Sequence, residues 1–367
     1  MNARISSVKT RLFRLPLPVT LSDSTHGDIP DFELVTITLT DDSGASGTGY
    51  TYTVGHGGTA ILAQLRDEVA PLLNGVDSGA IEAVLSLVNR NLHWGGRGGP
   101  TAMAVSALDI ALWDLMGHRA NLPLWRLLGG FDPAVPCYAG GIDLDFTIDA
   151  LLKQADTFVA SGIRAIKMKA GRARLSEDIE RCAAMREHLG DDFPLMVDAN
   201  MGWTVPQAIQ AGRAFEPFNL VWMEEPLDPD NIDGHRAVAD ATSVPIATGE
   251  NLRSVAEFRH LIQARGVHYP EPDPTNCGGV SAFMKIARLA EAHGLPVTSH
   301  GVHDICVHLL AAAPNRSFLE LHGFSLDPYI EEPLELRGGM AIAPERPGHG
   351  VTFRWDAMQD YERSGQS

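Results

Sequence analysis

The amino-acid sequence predicts an α/β fold, a modified (β/α)8-type barrel preceded by an N-terminal α+β capping domain. From about residue 133 onward, short apolar runs recur every ~20–30 residues, and most of the segments between them have the apolar spacing of amphipathic helices. The first ~125 residues differ, because a hairpin pattern is followed there by helical patterns. Strands that alternate with helices form parallel sheets, and eight such repeats close into a barrel.

The capping domain is predicted over residues 1–125. The run "ELVTITLT" alternates Val35, Ile37 and Leu39 with threonines, "DDSG" supplies a turn, and "TGYTYT" supplies the returning strand. Helical spacing follows in "GTAILAQLRDEVAPLL". The mostly apolar stretch "TAMAVSALDIALWDLMGHRANLPLWRLLGG" then predicts a buried helix and a second helix that begins near a proline.

The barrel is predicted over residues 126–330, and residues 331–367 are predicted to pack back on the capping domain. Two of the intervening helical segments, "SEDIERCAAMREHLG" and "VSAFMKIARLAEAHG", end at glycine, which is a common helix stop. The eight strand-like runs are "VPCYAG", "IRAIKMK", "PLMVD", "LVWMEE", "PIATGE", "VHYPEPD", "PVTSH" and "SFLEL".

Composition excludes several classes of partner. The formal net charge of −17 over 367 residues argues against nucleic acid and anionic membranes, since both are bound by basic patches. No apolar run approaches the roughly 18 residues of a membrane span. The four cysteines lie far apart without a C-x-x-C pair, which suits a reducing compartment and gives no structural zinc site. We therefore expect a cytoplasmic protein whose partner is a small molecule.

Three acidic residues close successive strand runs. Asp198 ends "PLMVD", Glu224 stands in "LVWMEE", and Glu250 ends "PIATGE", so that each is one β/α repeat from the next. Carboxylates at the carboxyl ends of barrel strands meet at one face, where they would repel one another unless a cation lay among them. Oxygen-only ligands of this kind favour Mg²⁺. Glu225 remains undecided, because adjacent strand residues face opposite ways.

Candidate acid–base groups lie on both sides of these carboxylates. Lys167 and Lys169, two residues apart in "IKMK", share one face of a strand, and we expect each ammonium to lower the pKa of the other, so that one is neutral and can act as a base. Asp273 and His300 end successive runs further along, where the carboxylate would orient the imidazole. This arrangement suits removal of a proton alpha to a metal-bound carboxylate, which needs strong electrostatic stabilisation of the enediolate.

These motifs, in order and at this spacing, resemble the mandelate racemase subgroup of the enolase superfamily over nearly the whole chain. The stretches that carry the resemblance are "AIKMKAG", "MVDAN", "MEEP", "TGEN", "EPDPTNCGG", "TSHG" and "FLEL". The resemblance implies that magnesium is held by three carboxylates and that two acid–base groups flank it. The ligands would be Asp198, Glu224 and Glu250, and the acid–base groups would be Lys169 and the His300–Asp273 dyad.

The resemblance implies further roles. Lys167 would assist at the substrate carboxylate, Glu320 would hydrogen-bond the developing enediolate, and Asn200 would lie near the substrate. One departure is Glu271, where relatives commonly carry glutamine before the Pro-Asp pair, and it leaves the local charge open. Large even-numbered homo-oligomers are a further family expectation.

Substrate class is predicted from the capping domain. The loop over residues 18–32, "PVTLSDSTHGDIPDF", is polar and includes His26, so it suits a polyhydroxylated substrate better than an aryl one. Arg97, in the glycine-dense "HWGGRGGP", is a candidate for contact with a second substrate carboxylate. Several segments also resemble acid-sugar dehydratases of the talarate/galactarate kind. We therefore predict a Mg²⁺-dependent dehydratase of an aldonate or aldarate.

Two other functions remain open at this stage. A 2-hydroxyacid racemase or epimerase would share the first proton abstraction and return the proton to the opposite face. A non-catalytic barrel that binds sugar acids is the alternative from another class, and the intact set of Lys169, His300 and the three carboxylates argues against it.

Overall fold

A computed structural model describes residues 3–363 of the chain. The first element of the fold is a three-stranded antiparallel sheet. Its strands β1 (Ile5–Asp23), β2 (Gly27–Asp41) and β3 (Ser46–Thr53) lie side by side in that order. The predicted hairpin forms between β2 and β3, because Val35, Ile37 and Leu39 all point into the core of this domain. The long β1–β2 hairpin extends beyond that core, and its tip reaches the barrel.

Helices cover this sheet, and the longest of them packs directly on β3. Gly47 and Gly49 permit the close approach, since a Cβ on Gly49 would lie 2.0 Å from the carbonyl oxygen of Ala107. The long helix is apolar around its circumference because its other face meets the barrel. The helices of this part are α1 (Gly58–Ala63), α2 (Ala70–Leu73), α3 (Ile81–Leu92), α4 (Gly99–Ala120) and α5 (Leu124–Leu127).

A closed ring of parallel strands follows, with the last strand pairing the first. The segment 297–300 fills the seventh position as extended chain, where Thr298 N donates to Pro270 O at 3.1 Å. The assigned strands are β4 (Ala134–Gly140), β5 (Ile166–Lys169), β6 (Leu195–Asp198), β7 (Met223–Glu224), β8 (Ile246–Thr248), β9 (Tyr269–Pro270) and β10 (Leu319–Leu321).

Seven helices connect these strands, and the eighth is replaced by a different return of the chain. After β10 come β11 (Glu335–Arg337), β12 (Met340–Ile342), which pairs antiparallel with β4, and α13 (Trp355–Met358). Among residues 3–363 no helix is both long and apolar enough to cross a bilayer. The connecting helices are α6 (Ile148–Ala160), α7 (Leu175–Leu189), α8 (Val205–Phe215), α9 (Ile232–Ala241), α10 (Val255–Gln263), α11 (Gly279–Ala292) and α12 (His303–Ala311).

The C-terminal segment contacts both parts of the molecule. The Arg11 guanidinium pairs with Glu362 at 2.7 Å, and the ring of Trp355 stacks on Phe13 with centroids 6.0 Å apart. At its other end β12 extends the barrel sheet. The domain boundaries predicted after residues 125 and 330 stay predictions.

A buried polar cluster joins the capping domain to the barrel. Asp109 on α4 accepts hydrogen bonds from the backbone N and the hydroxyl of Ser281 on α11, at 2.9 and 2.6 Å, and Trp113 donates to the same hydroxyl. Burial raises the pKa of Asp109 to about 7, although the hydrogen bonds from Ser281 oppose that shift. Below about pH 7 the carboxyl is therefore mainly protonated in the folded protein.

We expect Asp109 to make the free energy of unfolding depend on pH. Because its folded pKa is raised, the stability that Asp109 contributes is fully present below about pH 4 and is lost as the pH rises through about 7. The difference in unfolding free energy between wild type and Asp109→Asn, measured by urea denaturation from pH 5 to pH 8, should fall as the pH rises. Parallel pH profiles of the two proteins would contradict this.

Candidate active site

The strand-end carboxylates converge at one end of the barrel. Asp198 and Glu224 are the last residues of β6 and β7 and lie opposite each other in the sheet register. Glu250 follows β8, and all three lie near the barrel axis with little or no solvent exposure. Glu225, the next residue after Glu224, has a left-handed backbone (φ +40°), and its Oε1 accepts from Asn251 at 2.9 Å. The chain therefore turns Glu225 away from the position that Glu224 occupies.

Both lysines of β5 point into this cluster, as their spacing predicts. Lys167 Nζ hydrogen-bonds Glu224 and lies 2.8 Å from Glu320 Oε1. Lys169 Nζ lies 2.5 Å from Asp198 Oδ2. Lys169 is thus paired with a carboxylate of the neighbouring strand β6, and Lys167 with carboxylates of β7 and β10, across the barrel interior.

The prediction that the two lysines have a lowered pKa is wrong for this structure, because the net shift of both is upward. Burial lowers the pKa of Lys169, and so does the charge of Lys167, but Asp198 and Glu250 raise it and the net shift is upward. The pKa of Lys167 is likewise raised, because Glu224 and Glu320 outweigh its burial. The neighbouring carboxylates therefore hold both amines protonated.

The pKa values of the three candidate ligands shift in different directions. Burial raises the pKa of Asp198, but Lys169 and Lys167 lower it by more, and the net shift is downward. Burial raises the pKa of Glu224 to about 8, against the lowering effect of Lys167. Burial also raises the pKa of Glu250, whose Oε2 is buried without a hydrogen-bond partner in the described part of the chain. The cluster therefore holds more carboxyl groups than the two lysines can pair with.

The residues present fit a magnesium ion. Asp198, Glu224 and Glu250 offer hard oxygen donors from three adjacent strand positions. Glu250 Oε2 faces His300 at 3.4 Å but accepts no hydrogen bond from the described residues, so it can serve as a ligand to a cation. His300, Glu320 and His322 also bring ligand atoms within 4.8 Å of one another. That set contains two imidazoles, which suit softer ions, and Glu320 is already bonded to Lys167 and to the Gly301 amide.

The predicted Asp–His dyad forms on the other side of the cluster. His300 Nδ1 lies 3.0 Å from Asp273 Oδ2, while Asp273 Oδ1 accepts from the backbone N and hydroxyl of Thr275. His300 Nε2 then faces Glu250 at 3.4 Å and Glu320 at 3.8 Å. Burial lowers the pKa of His300, but Glu250 and Glu320 raise it by more, so the imidazolium form is favoured.

A cavity of about 390 Å³ opens above these groups, between the barrel and the capping domain. Lys169, Glu250 and His300 line its floor, and Asn200 and His26 line it as the sequence predicts. Asn200 adopts a left-handed backbone (φ +41°), which asparagine tolerates, and its backbone N donates to Asp198 Oδ1 at 2.8 Å. His26 comes from the tip of the β1–β2 hairpin.

Arg97 does not reach this cavity, which corrects the sequence-based prediction. It is exposed in the glycine-rich loop before α4 and lines a separate cavity of about 330 Å³ beside α3 and α11. Arg253, in the loop after β8, lines both cavities, and its Nη1 is buried without a hydrogen-bond partner among residues 3–363. Arg253 is therefore the arginine available to a molecule in the main cavity.

Tyr52 and His322 belong to the site but carried no recognisable motif. The Tyr52 hydroxyl, from β3 of the capping domain, lies 3.0 Å from Asp273 Oδ2 and 3.4 Å from His300 Nδ1. The ring of His322 packs edge-on against His300 with centroids 5.0 Å apart. Burial lowers the pKa of His322 to about 3, so this imidazole is neutral. A strand-end position two residues after Glu320 was the only available signal for His322.

Glu271, at the position where the family resemblance implies glutamine, is buried in the barrel interior. Tyr138 donates its hydroxyl to Glu271 Oε1 at 3.2 Å. Burial raises the pKa of Glu271 well above its usual range, so the side chain is a neutral carboxylic acid. A protonated glutamate has the charge and nearly the shape of glutamine, and the substitution leaves the local charge unchanged.

Tyr52→Phe is expected to reduce turnover by about 10- to 100-fold, because a hydrogen bond to a charged group contributes about 1.5–3 kcal/mol. The hydroxyl helps to hold Asp273 and therefore the orientation of His300. Steady-state kinetics of the variant test this. Tyr50→Phe is a matched control, since the Tyr50 hydroxyl is buried without a hydrogen-bond partner in the described structure. Equal losses in both variants would contradict a specific role for Tyr52.

Comparison with known families agrees with this architecture. Residues 5–129 match the mandelate racemase/muconate lactonizing enzyme N-terminal domain. Residues 150–357 match the enolase C-terminal domain-like family.

Two relatives show how similar the chain is to characterised enzymes. It is 51% identical, over 99% of both chains, to a 3,6-anhydro-alpha-L-galactonate cycloisomerase of Streptomyces coelicolor. It is 39% identical to an L-talarate/galactarate dehydratase of Salmonella typhimurium, over 97% of this chain and 90% of the relative. Both relatives act on acid sugars or their derivatives.

Solved structures give the same result. A racemase from Streptomyces coelicolor with bound magnesium superimposes with a TM-score of 0.96 at 49% identity, over 98% of this chain and 100% of that one. An L-talarate dehydratase from Polaromonas, in complex with magnesium and L-glucarate, superimposes with a TM-score of 0.94 at 38% identity, over 99% and 98%. The chain therefore belongs to the mandelate racemase subgroup of the enolase superfamily.

Proposed function

We propose that this protein is a magnesium-dependent enzyme that removes the proton alpha to the carboxylate of an acid sugar and then eliminates the oxygen on the β-carbon. One observation carries this proposal. Lys169 and the His300–Asp273 dyad border the same cavity and stand on either side of the Asp198–Glu224–Glu250 carboxylates. A site with two proton-transfer groups and a cluster of metal-binding oxygens suits the removal of a proton from the carbon next to a metal-bound carboxylate.

Asp198, Glu224 and Glu250 would hold the magnesium ion. When bound, the ion supplies positive charge that stabilises an enediolate and lowers the pKa of the α-proton. Lys167, fully buried between Glu224 and Glu320, would add a fixed positive charge next to the substrate carboxylate. Glu320 accepts from the Gly301 amide at 3.0 Å. Burial raises the pKa of Glu320, but Lys167 and His300 contribute to a net downward shift, so Glu320 would have to gain a proton when substrate binds before it could donate a hydrogen bond to the enediolate.

The two acid–base groups are prepared differently. Asp273 accepts from His300 Nδ1, which leaves Nε2 as the atom that exchanges protons with a substrate. Lys169 is held as an ammonium by Asp198, and it becomes a base only when that pairing is relieved. Which group takes the α-proton depends on the configuration of the substrate at that carbon, and the other group, still protonated, would supply positive charge beside the enediolate, so that both are needed.

The first candidate substrate is a 3,6-anhydro-galactonate. The 51% identical relative carries the name of a cycloisomerase for this compound, which supports the same reaction here. In such a substrate the oxygen on C3 belongs to a ring ether, so β-elimination opens the ring and no water leaves. The C2–H and C3–O bonds break, the C6 oxygen gains a proton, and tautomerisation gives a 2-keto-3-deoxy acid that is an isomer of the substrate.

The second candidate is the dehydration of an open-chain aldarate or aldonate, as the sequence predicts. It is supported by the 39% identical talarate/galactarate dehydratase and by the Arg253 guanidinium, whose Nη1 has no hydrogen-bond partner in the described part of the chain and suits a second carboxylate of a diacid. The chemistry is the same elimination with a free hydroxyl as the leaving group. A racemase or epimerase of the mandelate racemase type remains the alternative that lacks the elimination step.

The test is incubation of the purified protein with Mg²⁺ and a panel that includes 3,6-anhydro-galactonate, aldonates, aldarates and mandelate. We expect a 2-keto-3-deoxy acid, detected by a carbonyl assay and by mass spectrometry. A product of unchanged mass identifies ring opening, and a product lighter by one water identifies dehydration. Epimerised substrate without keto acid would favour the racemase, and saturable binding without any reaction would favour the sugar-acid binding protein. The cytoplasmic location and the homo-oligomeric state stay predictions.

A further inference from the structure

The tip of the β1–β2 hairpin is seated on the barrel at the mouth of the cavity. Ser24 Oγ donates to the carbonyl oxygen of Ala199 at 2.9 Å, and Thr25 Oγ1 donates to that of Asn200 at 2.5 Å. Gly171 and Gly202 leave room for Ser24, since a Cβ on Gly202 would lie 3.3 Å from its hydroxyl. These contacts fix the tip directly above the residues that follow β5 and β6.

The same tip carries a second Asp–His pair. His26 Nδ1 lies 2.9 Å from Asp23 Oδ2, and the backbone N of His26 donates to Asp23 Oδ1 at 2.6 Å. The hydrogen bond to Asp23 raises the pKa of His26, although partial burial opposes the shift. The ring is therefore oriented through Nδ1, and no hydrogen bond to its Nε2 forms within residues 3–363.

Asp23 and His26 line the main cavity together with Lys169, Glu250 and His300. The charges of Lys169 and Glu250 both act on His26, which places the ring within electrostatic reach of the barrel groups. The cavity thus has one acid–base dyad on the barrel and one on the capping domain. Lys169 and the barrel dyad lie beside the carboxylates that would hold the metal, so a substrate carboxylate bound there would bring its α-carbon to them.

We propose that His26, oriented by Asp23, is the general acid that protonates the oxygen leaving the β-carbon; this inference rests on the proposed elimination. The electrons of the C2–H bond form the C2=C3 double bond, and the barrel base keeps the α-proton. The C3–O bond breaks with its electrons on oxygen, which takes the proton from His26 Nε2. The resulting enol tautomerises to the 2-keto acid. The barrel thus removes the proton from carbon, and the capping domain supplies the proton to oxygen.

The test separates the two proton transfers in His26→Asn. Elimination is measured as keto-acid formation, and proton abstraction as exchange of the C2 proton in D₂O by NMR. We expect elimination to fall by about 10²- to 10⁴-fold, as for the loss of a general acid, while C2 exchange continues at a rate close to that of wild type. A 3-fluoro substrate should restore elimination, because fluoride leaves with less need of a proton.

His93→Asn is the control variant, since His93 is an exposed histidine of the capping domain outside the main cavity. Retention of elimination in His93→Asn supports the assignment, and a loss there as large as that in His26→Asn overturns it. Equal losses of exchange and elimination in His26→Asn, or no loss of either, also overturn it. If wild type exchanges the C2 proton but never eliminates, the proposed function itself fails.

Discussion

Lys169→Met is expected to reduce turnover of the acid-sugar substrate by at least about 10³-fold, within the range for loss of a general acid or base. Lys169 Nζ borders the cavity and pairs with Asp198 at 2.5 Å, so removing it takes away both a proton acceptor and one counter-charge of the metal site. Methionine matches the length of the aliphatic chain and suits a buried position. Steady-state kinetics at saturating Mg²⁺ measure the effect.

His300→Asn should give a loss of similar size. His300 Nδ1 is bonded to Asp273, so His300 Nε2 is the atom of the barrel dyad that exchanges a proton with the substrate, and asparagine cannot replace it. Lys285→Met is the control, since Lys285 is exposed and pairs with Glu82 on the capping domain. Thermal unfolding should show that all three variants remain folded. Full activity in a folded Lys169→Met or His300→Asn protein would refute the assigned site.

The second large effect concerns the metal site and the adjacent pair Glu224 and Glu225. Glu224→Gln is expected to weaken Mg²⁺ binding by at least about tenfold and to abolish turnover at moderate Mg²⁺, because one of three charged oxygen ligands is lost. Glu225→Gln should keep nearly the wild-type Mg²⁺ affinity, because Glu225 is turned toward Asn251 and burial favours its protonated form. Isothermal titration calorimetry measures both affinities.

Removal of the metal with a chelator should abolish turnover in the wild type, and added Mg²⁺ should restore it. The reverse order of affinities, with Glu225→Gln impaired and Glu224→Gln intact, would assign the ligand to Glu225. Turnover that persists in excess chelator would contradict a metal-dependent mechanism.

The positions of the catalytic and metal-binding groups of the barrel could be predicted from the sequence because strand ends recur at a regular interval. Asp198, Glu224 and Glu250 each lie one repeat apart, and parallel strands bring their carboxyl ends to one face. The pairing of His300 with Asp273 follows from the same regularity, since the two residues close neighbouring positions. The missing eighth helix and the extended seventh position did not disturb this register.

Contacts between the domains could not be predicted in the same way. Tyr52 lies on β3 of the capping domain, 221 positions from Asp273 in the chain, and no local pattern marks it. Arg97 appeared suitable because its glycine-rich loop has no fixed direction in the sequence, but the loop opens on a different cavity. Packing of α4 between the domains decides where both residues lie.

The protonation states also depend on neighbours that only the folded chain brings together. Two lysines on one strand face predict mutual repulsion and a lowered pKa. The structure adds Asp198, Glu224 and Glu320 around the same amines, and their negative charge reverses the direction. The sign of the shift therefore depends on how many opposite charges converge.

Deuterium incorporation tests most directly whether the reaction passes through loss of the α-proton and elimination at the β-carbon. The reaction is run in D₂O with Mg²⁺ and the acid sugar that gives keto acid, and the product is examined by NMR before free exchange occurs. We predict that the C2 proton is lost and that one deuterium is incorporated at C3, because the enol takes its proton from the solvent. The double variant with Lys169→Met and His300→Asn should show neither change. Keto acid without deuterium at C3 would indicate a hydride shift and would contradict the mechanism.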